Sequence, residues 1–433
     1  MTNNKGSFTD RLMDAIEAFT TERHVVAVKN GMMTFVPFTV VGAISLLIAA
    51  FPSQAYTNFV TSIFGEGWQG TLYDLNNGMM NLGGILCLIF IAYNLSIQFT
   101  DVKMSPIYPT GIAFGVYVYL THLIDGSTIS MGKFGSGSVI VAIFVGLCVP
   151  ELYRFLVKHN ITIKLPSAVP PMVAESFAAV LPLAIIMVCA CVLKKIIGLT
   201  SYEDIHVFIN TVIALPLKGL VGSWWGFAIL EFIQFALWGF GIHGTNIIMS
   251  GLAGPMLLML SDENRIAWQN GLPLPNIITN EFIMFITNTG LMIAIACIVF
   301  CKNEGIKSVA KAGVIPAWFC IHEPLVFGLP IAFNPYLGAA YAIMPVVGTI
   351  TTYFVVKMGL VARLTGAAVP WTTPIPLLGY LQTGGHISGA VWQLILNVIY
   401  FFLAIPFVKA YDNAKNKEEA EAAAAAEAEA ENE

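Results

Sequence analysis

Long stretches without a single Asp, Glu, Lys or Arg recur along this chain. They include Asn30–Gly65, Leu75–Thr100, Ser176–Leu193, Phe232–Ser261, Phe282–Cys301, Pro324–Val356 and Leu364–Val408. Crossing a bilayer hydrocarbon core takes roughly 20 residues of helix, so apolar runs of this length read as membrane spans. The last run is too long for one simple crossing. Charged residues make up 11% of the chain, against a usual share of about 25%. A water-soluble chain of 433 residues would need more polar side chains to cover its surface. The fold class expected is an all-α polytopic membrane protein, with about ten transmembrane helices judged from the length of a span.

The segment before the first run is polar and charged, with no cleavable signal-peptide pattern, so the first span is expected to act as its own insertion signal. Leu12, Ile16 and Phe19 share one side of a helix there, which predicts an amphipathic segment on the membrane surface. Leu199–Leu217 mixes polar and apolar residues and reads as a second interfacial helix. Pro170–Pro171 cannot sit inside a helix, so a long helix is expected to start at or just after that pair.

Clusters of Lys and Arg mark the cytoplasmic side of a membrane protein. Here they are Lys5, Arg11, Arg23 and Lys29; Arg154, Lys158 and Lys164; Lys302, Lys307 and Lys311; and Lys409, Lys415 and Lys417. Both termini are therefore expected inside, with an even number of crossings. The end of the chain is low-complexity Ala and Glu and reads as a solvated, frayed helix that accounts for much of the net charge of -5. The resulting organisation has four parts. Residues 1–29 form a cytoplasmic amphipathic segment, 30–217 an N-terminal membrane region, 218–409 a C-terminal membrane region and 410–433 an acidic tail. The seven cysteines form no CxxC pair or His/Cys cluster, so no metal site is expected and they read as small packing residues.

Three stretches place polar groups where a membrane chain does not spend them casually. In "FALWGFGIHGTNIIMSGLAGPM" (Phe235–Met256), His243 sits between Gly241 and Gly244, with Trp238 before it and Thr245 and Asn246 after it. In "CIHEPLVFGLPIAFNP" (Cys320–Pro335), His322 and Glu323 stand in an apolar run crowded with prolines. In "GAAVPWTTPIPLLGYLQTGGHISGAVW" (Gly366–Trp392), Trp371, Thr372 and Thr373 lie among prolines and glycines. Irregular backbone at membrane depth is tolerated only inside protein or beside a wet cavity, and many transporters build substrate sites from half-helices meeting there. An intramembrane carboxylate such as Glu323 is costly and marks function by default. An aromatic ring with neighbouring hydroxyls suits a sugar, whose C–H faces stack and whose hydroxyls hydrogen-bond.

The residues alone leave plainer readings open. His243 could be a buried neutral imidazole, Glu323 a carboxylate capping a broken helix, His322 a local partner of Glu323, and Trp238 and Trp371 interfacial belt residues. Glu175 and Glu231 stand near the ends of apolar runs, within reach of water, and read as structural.

The pairing of "GIHG" (Gly241–Gly244) with "HEPLVFGLPIAFNP" (His322–Pro335) resembles the membrane subunit, enzyme IIC, of the bacterial phosphoenolpyruvate-dependent sugar phosphotransferase system, in its lactose/cellobiose/diacetylchitobiose family. "VPPMVAESF" (Val169–Phe177), "FGSGSVIVAI" (Phe134–Ile143) and "VPWTTPIPLLGYLQTGG" (Val369–Gly385) extend the likeness from about Arg23 to about Lys409. The resemblance implies ten transmembrane helices with two re-entrant hairpins in a bacterial inner membrane. It also implies a homodimer formed through the N-terminal region and a C-terminal region that carries a β-linked disaccharide. A partner, enzyme IIB, itself charged through enzyme IIA, would transfer phosphate from a cysteine to the sugar's C6 hydroxyl. Glu323 and His243 would then be the catalytic pair at that hydroxyl, with Trp238 and Trp371 flanking the sugar rings and Asn246 and His322 among the binding residues.

The match departs from the family pattern at two places: His322 stands where Asn is common, and Glu281 replaces the proline of an Asn-Pro-Phe stretch. None of the cysteines has the setting of a phosphate acceptor, so enzymes IIA and IIB are expected as other chains. No cofactor beyond the delivered phosphoryl group and no nucleic acid is expected. A proton-coupled sugar symporter using Glu323 is the alternative, and a passive channel or receptor a third reading.

Overall fold

The computed structural model describes residues 18–430 apart from positions 20, 52–53, 122–130, 136–137, 167, 203 and 242. The surface helix expected around Leu12 and Ile16 lies outside the described residues. Among those described there is no β-strand. The first helices are α1 (Arg23–Ala49), α2 (Gln54–Phe64), α3 (Trp68–Met80), α4 (Gly83–Ser96), α5 (Ile107–Leu120) and α6 (Val139–Lys158). Next come α7 (Pro171–Ile197), α8 (Ile205–Ile209), α9 (Leu215–Val221), α10 (Trp224–Gly239), α11 (Gly254–Gln269) and α12 (Asn280–Ile286). The last are α13 (Thr289–Phe300), α14 (Glu304–Trp318), α15 (Glu323–Gly328), α16 (Pro335–Lys357), α17 (Leu377–Gln382) and α18 (Ile387–Ala430).

Six described helical stretches are long and apolar enough to cross a membrane: Trp68–Ser96, Val139–Lys158, Pro171–Ile197, Asn280–Phe300, Pro335–Lys357 and Ile387–Ala422. A seventh is possible by length and composition, because Ile205–Val221 and Trp224–Gly239 qualify together across a 75° bend. The chain divides into two compact units. One comprises Met1–Gly42, Tyr73–Gly219 and Ser250–Met259; the other comprises Ala43–Leu72, Leu220–Met249 and Leu260–Glu433.

In the first unit, α4 packs between α5 and α6. Ala92, Ala113 and Ala142, one from each of these helices, are fully buried. Lipid tails are as apolar as Leu, so close van der Waals approach over small side chains holds such helices together. Leu88, Val116, Val145 and Ile186 fill the remaining core. Helix α7 begins at Pro171, where the double proline predicts it, and turns Met172, Phe177, Val188 and Val192 outward. Such an apolar exterior suits contact with lipid or with another apolar protein surface.

The segment expected to be interfacial is a nearly continuous helix from Ile205 to Val221, widened to π geometry at Asn210–Ala214. Its first polar residue, His206, is buried, while Thr211 is exposed. Asp204 caps the helix by accepting from the His206 N–H at 2.6 Å. The His206 ring is held between Thr121 (3.0 Å) and Ser138 (3.1 Å) and meets Tyr117 edge-on.

In the second unit, α10 packs along α16, and α13 against α14 and α18. The span Asn280–Phe300 is broken at Thr287–Asn288, which strands carbonyl groups that a continuous helix would use. Side chains of α18 take them up: Gln393 Nε2 donates to Phe285 O at 3.2 Å and Tyr400 Oη to Ile286 O at 2.8 Å. A break at membrane depth survives only because those backbone groups find protein partners.

At its far end α18 does not fray after Val408. It continues to Ala430, with Asp412 accepting from the N–H groups of Lys302 (2.9 Å) and Asn303 (3.0 Å). Asn303 in turn caps α14 through Ile306 N, and its amide donates to Glu419 at 2.8 Å. The first part of the acidic tail is thus engaged with the protein.

Candidate functional site

The site is assembled from two interruptions of helix in the second unit. Helix α10 starts under the Ser223 cap and stops at Gly239. Gly241 then takes a φ of +73°, a left-handed conformation that side chains disfavour. Gly244 lies so close to the Gln234 carbonyl that a Cβ there would overlap it. These two glycines fold the chain back on the helix it has just left and leave His243 outside regular helix between them. The His243 ring lies over Trp238, with centroids 4.2 Å apart and planes inclined at 48°. Trp238 is buried, and its indole N–H donates to Thr245 Oγ1 at 3.3 Å. The chain then widens into π-type turns over Asn246–Ala253, a distortion frequent at functional sites.

The second interruption follows α14. Cys320 and Phe333 both adopt positive φ (62° and 61°), bracketing the short helix α15 that begins at Glu323. Asn334 then caps α16, its Oδ1 accepting from Tyr336 N and Leu337 N at 2.9 Å. The two interruptions meet: Phe333 N donates to Gly239 O at 2.7 Å. Phe235 of α10 also packs edge-on against Tyr341 of α16 at 4.8 Å. The GIHG turn and the HEPLVFGLPIAFNP hairpin, 78 residues apart in sequence from Gly244 to His322, are neighbours in space.

The structure places the other expected site residues as follows. His322 is buried, with Nδ1 3.2 Å from Tyr341 Oη and its ring against Gly290; its Nε2 has no partner among the described residues. Trp371 is half exposed on the loop before α17, a loop tied to the end of α14 by Trp318 Nε1 donating to Ile375 O at 3.1 Å. Among the described residues Trp371 makes no ring contact with Trp238 or His243. The side chains of Glu323 and Asn246 lie outside the described residues.

One polar residue of this region is not where the sequence suggests. Glu231, expected near water at the end of an apolar run, is fully buried in the middle of α10. The helix begins seven residues earlier, at Trp224, so position 231 falls in its core-facing middle. Gln234 Nε2 donates to Glu231 Oε2 at 2.7 Å, while the other oxygens of both groups have no partner among the described residues. The signal was available: Glu231, Gln234 and Trp238 recur at three- and four-residue steps, which is one helix face. Glu281, the departure from the family pattern, is likewise buried and accepts from Ser261 Oγ at 2.8 Å.

Broken apolar helices that converge on an aromatic–imidazole pair define a polytopic helical membrane transporter. The sequence profile described as Phosphotransferase system, EIIC matches residues 29–345, and the chain belongs to that family. The lichenan permease IIC component of Bacillus subtilis (strain 168) is 32% identical over 92% of this chain and 91% of its own length. The cellobiose-specific EIIC component of Geobacillus stearothermophilus is 31% identical, covering 95% and 94%. The crystal structure of the transporter ChbC, the IIC component from the N,N'-diacetylchitobiose-specific phosphotransferase system, superposes with a TM-score of 0.88 at 32% identity, covering 95% of this chain and 99% of that one. This protein is thus a sugar permease of the cellobiose, lactose and chitobiose type, a multi-pass protein of the bacterial inner membrane.

Proposed function

We propose that the chain imports a β-linked disaccharide of the cellobiose or diacetylchitobiose kind and presents its C6 hydroxyl for phosphorylation by phospho-enzyme IIB. The observation that carries the reading is the Phe333 N to Gly239 O hydrogen bond, which joins the turn bearing His243 to the hairpin bearing Glu323. The relatives with cellobiose, lichenan and diacetylchitobiose in their names favour a β-linked sugar over other solutes.

Phosphoryl transfer is chiefly positioning and charge stabilisation, and a hydroxyl attacks well only when its proton is accepted. In the proposed reaction the C6 oxygen bonds to phosphorus as the bond from phosphorus to the cysteine sulfur of enzyme IIB breaks. Glu323 accepts the hydroxyl proton and later releases it to water. The His243 imidazole donates a hydrogen bond to the hydroxyl or to a phosphoryl oxygen, and the indole of Trp238 fixes the plane of that ring. Trp371, Asn246 and His322 are assigned to sugar binding, and no cofactor is required beyond the phosphoryl group. Both termini face the cytoplasm, where enzyme IIB is found, and two copies of the chain form the working unit. Family membership disfavours the proton-coupled symporter.

Membrane vesicles holding this chain are supplied with radiolabelled cellobiose, phosphoenolpyruvate and the soluble phosphate carriers. The label is expected to be recovered inside as a phosphate ester only when every carrier is present. Accumulation of unmodified sugar that follows the proton gradient would sink the proposal.

A further inference from the structure

A cavity in the same unit is lined by none of Trp238, His243, His322 and Trp371. Its volume is about 520 Å3, within the range of about 300–1,000 Å3 that small-molecule pockets occupy. Trp268, in the last turn of α11, and Leu272 form one wall. Arg363, Thr365, Thr383 and His386 form the other, on the loops that flank α17.

The walls are fixed to one another. Arg363 Nη1 donates to the carbonyls of Leu274 and, at 2.7 Å, of Pro275. Asn264 Nδ2 bridges Asn276 O at 2.9 Å and Leu364 O at 2.8 Å, tying both loops to α11. Thr365 N donates to Gln382 O at 2.9 Å and Thr383 Oγ1 to Gly379 O at 2.7 Å. Several donors remain for a guest. Among the described residues Arg363 has no carboxylate partner, the Trp268 indole N–H has no acceptor and the His386 ring is exposed.

The cavity's place along the spanning helix decides which side of the membrane it serves. His386 immediately precedes α18, and Asp412 follows 26 residues later (412 minus 386). That is about 39 Å of helix at 1.5 Å per residue, more than the roughly 30 Å hydrocarbon core. Lys302, Lys307, Lys409, Lys415 and Lys417 gather at the Asp412 end, which the positive-inside rule assigns to the cytoplasm. The cavity therefore opens at the outer end.

We propose that this cavity is an outer-face saccharide site, which captures the sugar before it reaches the site around Trp238 and His243. The proposal rests on the reading of the chain as a sugar importer. The Trp268 ring covers the C–H face of a pyranose, while its N–H, the Arg363 guanidinium and the His386 imidazole bond the hydroxyls. A lipid phosphate would engage Arg363 and leave the aromatic wall without a partner, so a saccharide uses the lining more fully.

The test uses the full-length chain in micelles, titrated with radiolabelled cellobiose and separately with labelled diacetylchitobiose by equilibrium dialysis. Two sugars per wild-type chain are expected, one per chain in Trp268→Ala and in His386→Ala, and one in His243→Ala. His386 is exposed, so its variant guards against misfolding of Trp268→Ala. In right-side-out vesicles either cavity variant should raise the KM for external sugar about tenfold with the maximal rate within about twofold. One sugar per wild-type chain, with KM unmoved by both cavity variants, overturns the outer site and leaves the importer reading intact. No sugar bound by any chain defeats the importer reading and this proposal with it. Phospholipid phosphate that stays with the wild type and is lost from Arg363→Gln would assign the cavity to a lipid headgroup and overturn the proposal equally.

Discussion

The imidazole of His243 owes its position to glycines on either side rather than to any helix. Gly241 supplies the reversed φ and Gly244 the close approach to Gln234, so the ring comes to rest on Trp238. His243→Ala and Glu323→Ala should each weaken disaccharide binding about tenfold or more, the scale of one lost hydrogen bond to a polar group. Both variants should still insert and fold, which calorimetric binding alongside a melting curve will check. Gly244→Ala is a different kind of change. Its methyl would overlap the Gln234 carbonyl, and overpacking of that sort costs about 1–3 kcal/mol. A lowered Tm, with the His243–Trp238 contact disturbed, is the expected result.

A third residue makes a pH prediction. Arg154 holds Asp101 with two hydrogen bonds of 2.7 Å, and Lys158 adds one at 2.9 Å. These bonds keep the Asp101 carboxyl well below the usual carboxylate range. A carboxylate depressed on folding stabilises the protein above its unfolded pKa of about 3.9, and that stabilisation fades as pH falls further toward the folded value. The Tm difference between wild type and Asp101→Asn should therefore be present at neutral pH and shrink on acidification below about pH 4. A difference that grew in acid would refute the assignment.

At the scale of elements, each interrupted helix is kept in place by a partner far away in sequence. The break in Asn280–Phe300 is satisfied by Gln393 and Tyr400, more than 100 residues on. The chain entering α14, the helix that leads to the Glu323 hairpin, is held by Asp412, which accepts from Lys302 N and Asn303 N just before the helix begins. A hydrogen bond to a charged group is worth about 1.5–3 kcal/mol, so Asp412→Ala, which removes two, should destabilise the protein by about that amount or more in a denaturation series. Faster hydrogen exchange confined to the first turn of α14 would accompany it. The breaks themselves were legible, since "GIHG" and the proline-rich stretch after Glu323 announce them. Their caps were not, because a lone Asp beyond a membrane span looks like any solvated charge. The same blindness applies to His206 in Leu199–Leu217, whose partners Thr121 and Ser138 lie far away in sequence.

For the whole molecule, the spread of basic residues makes a topological prediction. Lys415 and Lys417 lie in the extension of α18 that the positive-inside rule assigns to the cytoplasm, so trypsin should cut there in inverted vesicles and not in right-side-out ones. Cutting from the outer face would reverse the orientation and move the Trp268 cavity to the cytoplasm. The apolar exterior of α7, with Met172, Phe177 and Val188 turned outward, fits a chain whose solvent is lipid on its flanks and water at its ends. The aggregate family match and the structural likeness to ChbC place the architecture with the phosphotransferase permeases, and the basic end is where a soluble phosphate donor would be met.

Sequence alone determined that this chain lives in a bilayer, that it is helical, and that its helices break at the GIHG and HEPLVFGLPIAFNP stretches. Those properties follow from local composition: a run of apolar residues partitions into lipid, and clustered prolines and glycines favour a break, whereas single prolines such as Pro150 and Pro345 are carried inside helices. Tertiary structure decided which breaks meet, as Phe333 bonds Gly239 across a long separation. It also decided which charges are hidden: Asp412 is buried although its sequence neighbourhood is that of a solvated tail. Burial depends on what other segments pack against a residue, and that information is spread over the chain rather than held at any one position.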